Sequence, residues 1–342
     1  VGDPAGNTLA AAFHDFNNDS LPDLITADDI PGRVRLYKNL GNFKFADVSS
    51  ENEFGLAGAW MGIAIGDIDG DANQDVFVTN LGAPMGSRYR AQSETDVFMA
   101  DIFNPPNSAT YYNRLWRNTG GAFNDISKRL SVDWGSNDPD IRWYAPSLLV
   151  SGNKNSFYVA PEPEGLEAGE MGFGTVMIDI DNDGREDLMW VGGMGRSEIS
   201  FTARKNISRL LRNEGNSAFA DAGYALGVVN WANKTDPGTY QNGRGLAIGD
   251  LNNEGYNDIL ITKGGAFDDG ARDVPSLQKF GLQYRFLAVT KEYRPGPTFV
   301  YVSQSGGNHW IKIKLVGTSS NRDAIGAKIF VTYRENGMHK TQ

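Results

Sequence analysis

The chain has 342 residues, with 42 acidic against 32 basic side chains, a formal charge of −10 and no cysteine. The missing cysteines exclude disulfides, thiolate metal centres and cysteine nucleophiles. The acidity, with no basic cluster to offset it, excludes nucleic acid as a partner. No apolar run reaches transmembrane length and no signal peptide is visible; Val1-Gly-Asp-Pro runs straight into a repeat, as expected of a mature or partial product.

The first recognisable element is the acidic loop Asp15-Phe-Asn-Asn-Asp-Ser-Leu-Pro-Asp23, which returns as Asp67-Ile-Asp-Gly-Asp-Ala-Asn-Gln-Asp75, Asp179-Ile-Asp-Asn-Asp-Gly-Arg-Glu-Asp187 and Asp250-Leu-Asn-Asn-Glu-Gly-Tyr-Asn-Asp258. Oxygen-bearing side chains recur at loop positions 1, 3, 5 and 9: Asp15, Asn17, Asp19 and Asp23; Asp67, Asp69, Asp71 and Asp75; Asp179, Asp181, Asp183 and Asp187; Asp250, Asn252, Glu254 and Asp258. Position 7 holds Leu21, Asn73, Arg185 and Tyr256, and such unlike side chains fit a role that uses only the backbone carbonyl. Hard oxygens folded around one point suit Ca²⁺, which takes about six to eight of them in flexible geometry. An EF-hand is rejected, because an aspartate closes each loop early and short β-branched stretches such as Ile63-Ala-Ile65 and Val76-Phe-Val78 flank it in place of helices. The expected cofactor is Ca²⁺, up to four ions. The second and third loops carry four carboxylates each at these positions, and the first and fourth carry three plus an asparagine, so the outer two are the weaker. These positions hold 14 of the 42 acidic residues, and four bound Ca²⁺ would offset most of the net charge of −10.

A second element follows the loops. It reads Leu36-Tyr-Lys-Asn39-Leu-Gly41 to Phe45-Ala-Asp47, then Leu115-Trp-Arg-Asn118-Thr-Gly120 to Phe123-Asn-Asp125, then Leu210-Leu-Arg-Asn213-Glu-Gly215 to Phe219-Ala-Asp221. An apolar strand, an Asn-x-Gly turn and a second strand make a hairpin. Strand, acidic loop, strand and hairpin together give four antiparallel strands, the composition of a propeller blade. The fold class expected is all-β: a β-propeller of four-stranded blades with Ca-binding hairpin loops, plus a short C-terminal β segment.

Between repeats lie two insertions. Residues 82–113 hold Met85, Arg88, Tyr89, Arg90, Phe98, Met99, Phe103, Tyr111 and Tyr112, and residues 129–171 hold Trp134, Arg142, Trp143, Tyr144, Phe157 and Tyr158. Aromatics with arginine on loops suit a protein interface or sugar stacking, and they equally suit local cores packed on the scaffold. The gap between the second and third loops leaves room for an eroded blade, with strands near 141–150 and 156–159, or for a long insertion alone. The tail alternates Trp310, Ile311, Ile313 and Leu315 with Lys312 and Lys314 as a strand, then a polar loop, then a second strand from Ala327 to Tyr333.

The acidic loops and hairpins resemble the FG-GAP/VCBS repeats of integrin-α-type β-propellers over about residues 8 to 265. The segment from Gly307 to Ile329, with its Asn-His-Trp, Leu-Val-Gly, Ser-Asn-Arg-Asp and Ile-Gly-Ala pieces, resembles the start of an ASPIC/UnbV domain, a family found after such repeats in secreted bacterial proteins and in cartilage acidic protein. The organisation this implies is a propeller over 1–305 and an incomplete ASPIC/UnbV-like β segment over 306–342.

Catalytic machinery is not visible. The three histidines, His14, His309 and His339, share no nucleophile elbow or triad pattern, and the acidic clusters are accounted for by metal binding. The expectation is therefore a non-enzymatic, secreted, calcium-stabilised propeller that acts as a protein-binding adhesion or assembly module, located outside the cell, on its surface or in a periplasm. Its partner is a protein or a second copy met through the aromatic insertions, with a glycan as a further candidate. The alternative is a carbohydrate-binding or carbohydrate-cleaving, lyase-type propeller.

Overall fold

The protein is seen in a computed structural model that describes residues 7–29, 32–80, 112–134, 165–166, 172–192, 208–223, 226, 243–263, 266–267, 272–273, 287–288, 293–294, 298–303, 311–318, 327, 329–335 and 337–341. The described residues are all-β, with one short 3₁₀ turn at Ser49–Asn52 and no α-helix.

Four antiparallel sheets succeed one another along the chain. The first runs β1 (Asn7–His14), β2 (Asp23–Asp29), β3 (Gly32–Asn39) and β4 (Phe45–Asp47), with the short β5 (Ala57–Gly58) also paired to β3. The second runs β6 (Trp60–Gly66), β7 (Asp75–Asn80), β8 (Arg114–Asn118) and β9 (Phe123–Asp125). After β10 (Ser131–Asp133), the third runs β11 (Thr175–Ile178), β12 (Asp187–Trp190), β13 (Arg209–Gly215) and β14 (Ala218–Asp221), and β10 adds a fifth strand parallel to β14. The fourth contains β15 (Gly243–Gly249) and β16 (Asp258–Lys263). Four two-residue strands follow, β17 (Ala266–Phe267), β18 (Arg272–Asp273), β19 (Leu287–Ala288) and β20 (Tyr293–Arg294), and then β21 (Thr298–Tyr301) completes the fourth sheet beside β16. Each acidic loop joins the first and second strands of its sheet.

The sheets stack through their first strands: β6 lies against β1, β11 against β6, and β15 against β11. Their cores sit between neighbouring sheets. Val34, Leu36, Trp60, Val76, Val78 and Trp116 fill the space between sheets one and two. Phe77, Leu115, Met177, Leu188, Trp190 and Leu211 fill that between two and three. Met189, Val191, Leu210, Ile259 and Ile261 fill that between three and four. Strand periodicity explains this: in β7 the odd and even side chains serve opposite cores, so every residue of the strand is buried. The far side of sheet one contrasts with this, since Leu9 and Phe13 on β1 are 56% and 65% exposed.

The contact of β6 with β11 decides between the two readings of the long gap. Thr79 Oγ1 donates to the Phe173 carbonyl at 2.7 Å, and a side chain at Gly66 would strike Met177 and Glu186. Sheets two and three are immediate neighbours, so no blade stands between them. The strands expected near 141–150 and 156–159 lie outside the described residues, as do most aromatics of both insertions. Trp134 is described and belongs to the core, buried with the Arg209 guanidinium 5.5 Å above its ring; Leu130 and Leu166 of the same insertion join it.

The tail differs from its expectation. Residues 311–318 belong to no sheet among the described residues, and Ile311, Ile313, Leu315 and Val316 are exposed. An alternating pattern makes a strand only where a neighbour supplies hydrogen bonds. The second strand is β22 (Thr332–Glu335), later than expected, and it forms a hairpin about Gly337 with β23 (Met338–Thr341).

Two of the three Asn-x-Gly asparagines, Asn118 and Asn213, tie sheet to sheet. Asn118 is buried; its Nδ2 donates to the Phe16 carbonyl in the first sheet's loop at 3.0 Å and to Gln74 at 3.2 Å, and its Oδ1 accepts from Gly121 N. Asn213 repeats this with Ile68 of the second sheet's loop and with Glu186. Replacing Asn118 by Ala strands these buried groups, so a loss of about 2–4 kcal/mol is expected. Asn39, which is bonded to Pro22 and Gly41 within its own sheet, should cost less. Urea unfolding of the two variants checks the difference.

Candidate metal centre

The acidic loops share one backbone frame. Positions 4 and 6 are left-handed in all four: Asn18 and Ser20, Gly70 and Ala72, Asn182 and Gly184, Asn253 and Gly255. That conformation suits Gly and Asn and strains Ser20 and Ala72. It turns the amides of positions 5 and 6 inward, onto the two oxygens of the position-1 aspartate. Asp19 and Ser20 donate to Asp15, Asp71 and Ala72 to Asp67, Asp183 and Gly184 to Asp179, and Glu254 and Gly255 to Asp250, at 2.8–3.1 Å. Position 3 accepts from the position-5 amide at Asn17, Asp69 and Asn252. Position 5 accepts from the position-7 amide of Leu21, Asn73 and Arg185, which ties that peptide to the loop.

Position 9 has a different setting. Asp23, Asp75, Asp187 and Asp258 are almost wholly buried. One oxygen of each accepts the position-2 amide, from Phe16, Ile68, Ile180 and Leu251. The other accepts an amide at the end of the third strand: Asn39, Asn118 and Asn213 at 2.7–2.8 Å, and Ser303 at 2.9 Å. The fourth sheet has Ser303 where the others have the asparagine, and its hydroxyl donates to Asn257.

Two loops gather carboxylates. Asp67, Asp69 and Asp71 each offer an oxygen within 4.8 Å of the others, and so do Asp179, Asp181 and Asp183. The closing aspartates Asp75 and Asp187 stand outside these trios. The first and fourth loops place Asn17 and Asn252 at the position where the trios have Asp69 and Asp181. A donor set made only of carboxylate, amide and backbone oxygens fits a hard cation such as Ca²⁺. The third loop's trio is half-buried throughout, whereas Asp69 and Asp71 are exposed. Cationic side chains already face the loops: Lys38 Nζ lies 3.7 Å from Asp19, Arg117 Nε 2.5 Å from Asp69, and Arg185 pairs with Asp183.

The crowding shows in the acid strengths. Burial, with neighbouring carboxylates adding to it, raises Asp23, Asp69, Asp179 and Asp183 above the usual range. Burial pushes Asp75 and Asp187 up to about 7. Glu186, at position 8 of the third loop, also reaches about 7 by burial; it accepts the Asp67 amide across the boundary between sheets two and three. Its role was not apparent from sequence; the signal was Gly66, where a side chain would lie 1.9 Å from its Oε2.

An FG-GAP-like repeat family model matches residues 15–78, from the first acidic loop into β7. Among curated proteins nothing matches the chain. Solved structures similar to it include an Agrocybe aegerita lectin described as recognising non-reducing terminal N-acetylglucosamine, at 15% identity and a TM-score of 0.36 over 76% of this chain and 48% of that one. Another is the Bacillus licheniformis rhamnogalacturonan lyase PL11, at 11% identity and a TM-score of 0.35 over 74% of this chain and 39% of that one. The chain spans less than half the length of either.

The raised acids set a pH dependence. Below about pH 4 they are protonated in folded and unfolded chains alike. From there to about 7 the folded chain retains protons that the unfolded chain has released, so stability falls as pH rises through this window. In chelator, the midpoint of thermal unfolding is expected to be higher at about pH 5 than at about pH 7.5. A higher midpoint at the alkaline end would contradict the burial of these three groups.

Proposed function

We propose that the chain is a secreted, calcium-stabilised β-propeller that serves as a protein-binding module in adhesion or assembly. One observation carries the calcium part: acidic loops of identical frame recur on successive sheets, and two hold three carboxylates within 4.8 Å of one another. Carboxylates this close repel, and a divalent cation converts the repulsion into a tie between the first and second strands. Asp67, Asp69 and Asp71, and Asp179, Asp181 and Asp183, would hold it, with the position-7 carbonyls of Asn73 and Arg185 as further donors. Asp15, Asn17 and Asp19, and Asp250, Asn252 and Glu254, would hold it more weakly. The match of residues 15–78 to an FG-GAP-like repeat supports the same reading. Extracellular calcium, at about 10⁻³ M, suits modest loops of this kind. The tail over 306–342, read as an ASPIC/UnbV-like segment, belongs to the same proposal.

The protein-binding part rests on exposed apolar groups. Leu9 and Phe13 face outward from sheet one, and Leu40 and Phe43 crown its hairpin, with Phe43 fully exposed in a left-handed conformation. A large apolar side chain held exposed and strained is a common mark of a contact surface.

Thermal unfolding in calcium and in chelator tests the cation, together with stoichiometry by native mass spectrometry. A site filled to about a hundred times its Kd adds about 2.7 kcal/mol, so a rise of several degrees with two to four ions is expected. No bound ion and no shift would end this reading. Asp183→Ala should remove one ion and lower the calcium-induced rise by about 3 °C or more. An unchanged rise would take the third loop out of the assignment. A glycan array in calcium separates the module's partners: specific sugar binding would favour the carbohydrate alternative over a protein partner.

A further inference from the structure

We infer that Arg117 is a built-in counter-cation of the second acidic loop: it neutralises Asp69 and Asp71 when the loop is metal-free and must be displaced by an incoming divalent cation, so it sets the affinity of that loop below what its carboxylates alone would reach. This rests on the cation reading of the loops and adds to it a residue outside them.

The placement follows from the fold. Arg117 stands on β8 immediately before Asn118. The Asn118 amide is bonded to Asp75 and its side chain to the Gln74 carbonyl, which pins the end of β8 over the loop. Neighbouring residues on a strand point to opposite faces. With Asn118 buried, Arg117 is turned outward, onto the exposed carboxylates. Its Nε lies 2.5 Å from Asp69 Oδ2 and its Nη2 lies 3.5 Å from Asp71 Oδ2. These are two of the three residues of the trio that fits a cation. A guanidinium held against these oxygens and a divalent ion compete for the same place and the same negative charge.

The register is repeated. Lys38 precedes Asn39 and lies 3.7 Å from Asp19, and Arg212 precedes Asn213. Arg212 pairs with Glu214 while its charge still acts on Asp181, Asp183 and Asp187 of the third loop, and Asp183 also takes Arg185 from its own loop. In the fourth sheet Val302 occupies the register, so no basic side chain is supplied from there. The basic residue of the hairpin repeat thus has a role distinct from the turn chemistry around it.

The Arg117 side chain is 43% exposed, so its hold on the carboxylates is modest and screened by salt. An exposed pair of this kind shifts an equilibrium by up to about fivefold, and removal of a unit charge beside the site adds to that. The experiment is calorimetric titration of Ca²⁺ into the wild-type chain, Arg117→Met and Arg129→Met, the last making the same charge change in an exposed turn of the same sheet. Arg117→Met is expected to bind one ion about 3- to 10-fold more tightly than wild type, and Arg129→Met to match wild type. The gain should shrink at about 0.5 M salt. In chelator, Arg117→Met should melt below wild type, and saturating calcium should close the gap, which a purely structural arginine would not do. Calcium binding that is unchanged or weakened in Arg117→Met overturns the inference and leaves the proposed function standing. No calcium binding by any of the three proteins overturns both.

Discussion

A buried carboxylate that accepts two backbone amides is the tie on which each sheet depends. Asp23, Asp75, Asp187 and Asp258 stand at the start of the second strand, between the acidic loop and the end of the third strand. Two backbone N–H donors hold each in place, and burial pushes Asp23, Asp75 and Asp187 toward the neutral form. Without the tie, the loop would lose its connection to the hairpin. In the second and third sheets, Asn118 and Asn213 would lose the position from which they reach the preceding sheet. One residue thereby links local turn geometry to the stacking of neighbours.

That stacking explains where the chemistry lies. Every loop joins the first and second strands, and every first strand packs on the next, so the loops of successive sheets fall at equivalent places. The cores between sheets come from odd and even side chains of the same strands, as β7 and β12 show. The loops anchor in those cores through Phe16, Ile68 and Ile180. Their shape comes from carboxylates bonded to their own amides and from left-handed turns at positions 4 and 6. The electrostatic cost of gathering acids is offset in part by Lys38, Arg117 and Arg185, and a hard cation would offset it more fully.

Much of this was legible in the chain. The alternation of oxygen-bearing residues located the loops, and the Asn-x-Gly pattern located the hairpins, because both are set by a few residues in immediate succession. In the second and third loops the carboxylates at positions 1, 3 and 5 cluster as their spacing implies. Position 9 shares that spacing yet lies outside the trios, engaged by amides of the third strand, and this depends on a partner some 16 to 45 residues away in sequence. Trp134 stood open between a contact residue and a local core, and it is core, with neighbours Leu166 and Arg209 from distant segments. The tail pattern at 310–315 is a strand by periodicity, but no described strand stands beside 311–318 to complete it.

Short-range chemistry was therefore decided by the sequence alone: all-β composition, four acidic loops, and the repeat that joins loop to hairpin. These depend on alternation, turn residues and charge within about ten neighbours, where the chain's own geometry leaves few choices. The tertiary structure decided which sheets are adjacent, that no blade intervenes between the second and third, and which carboxylate answers to a strand and which to its loop. It also placed Arg117 on Asp69 and set Glu186 against Gly66. Those outcomes depend on contacts between residues far apart in the chain, and only packing brings such residues within bonding distance.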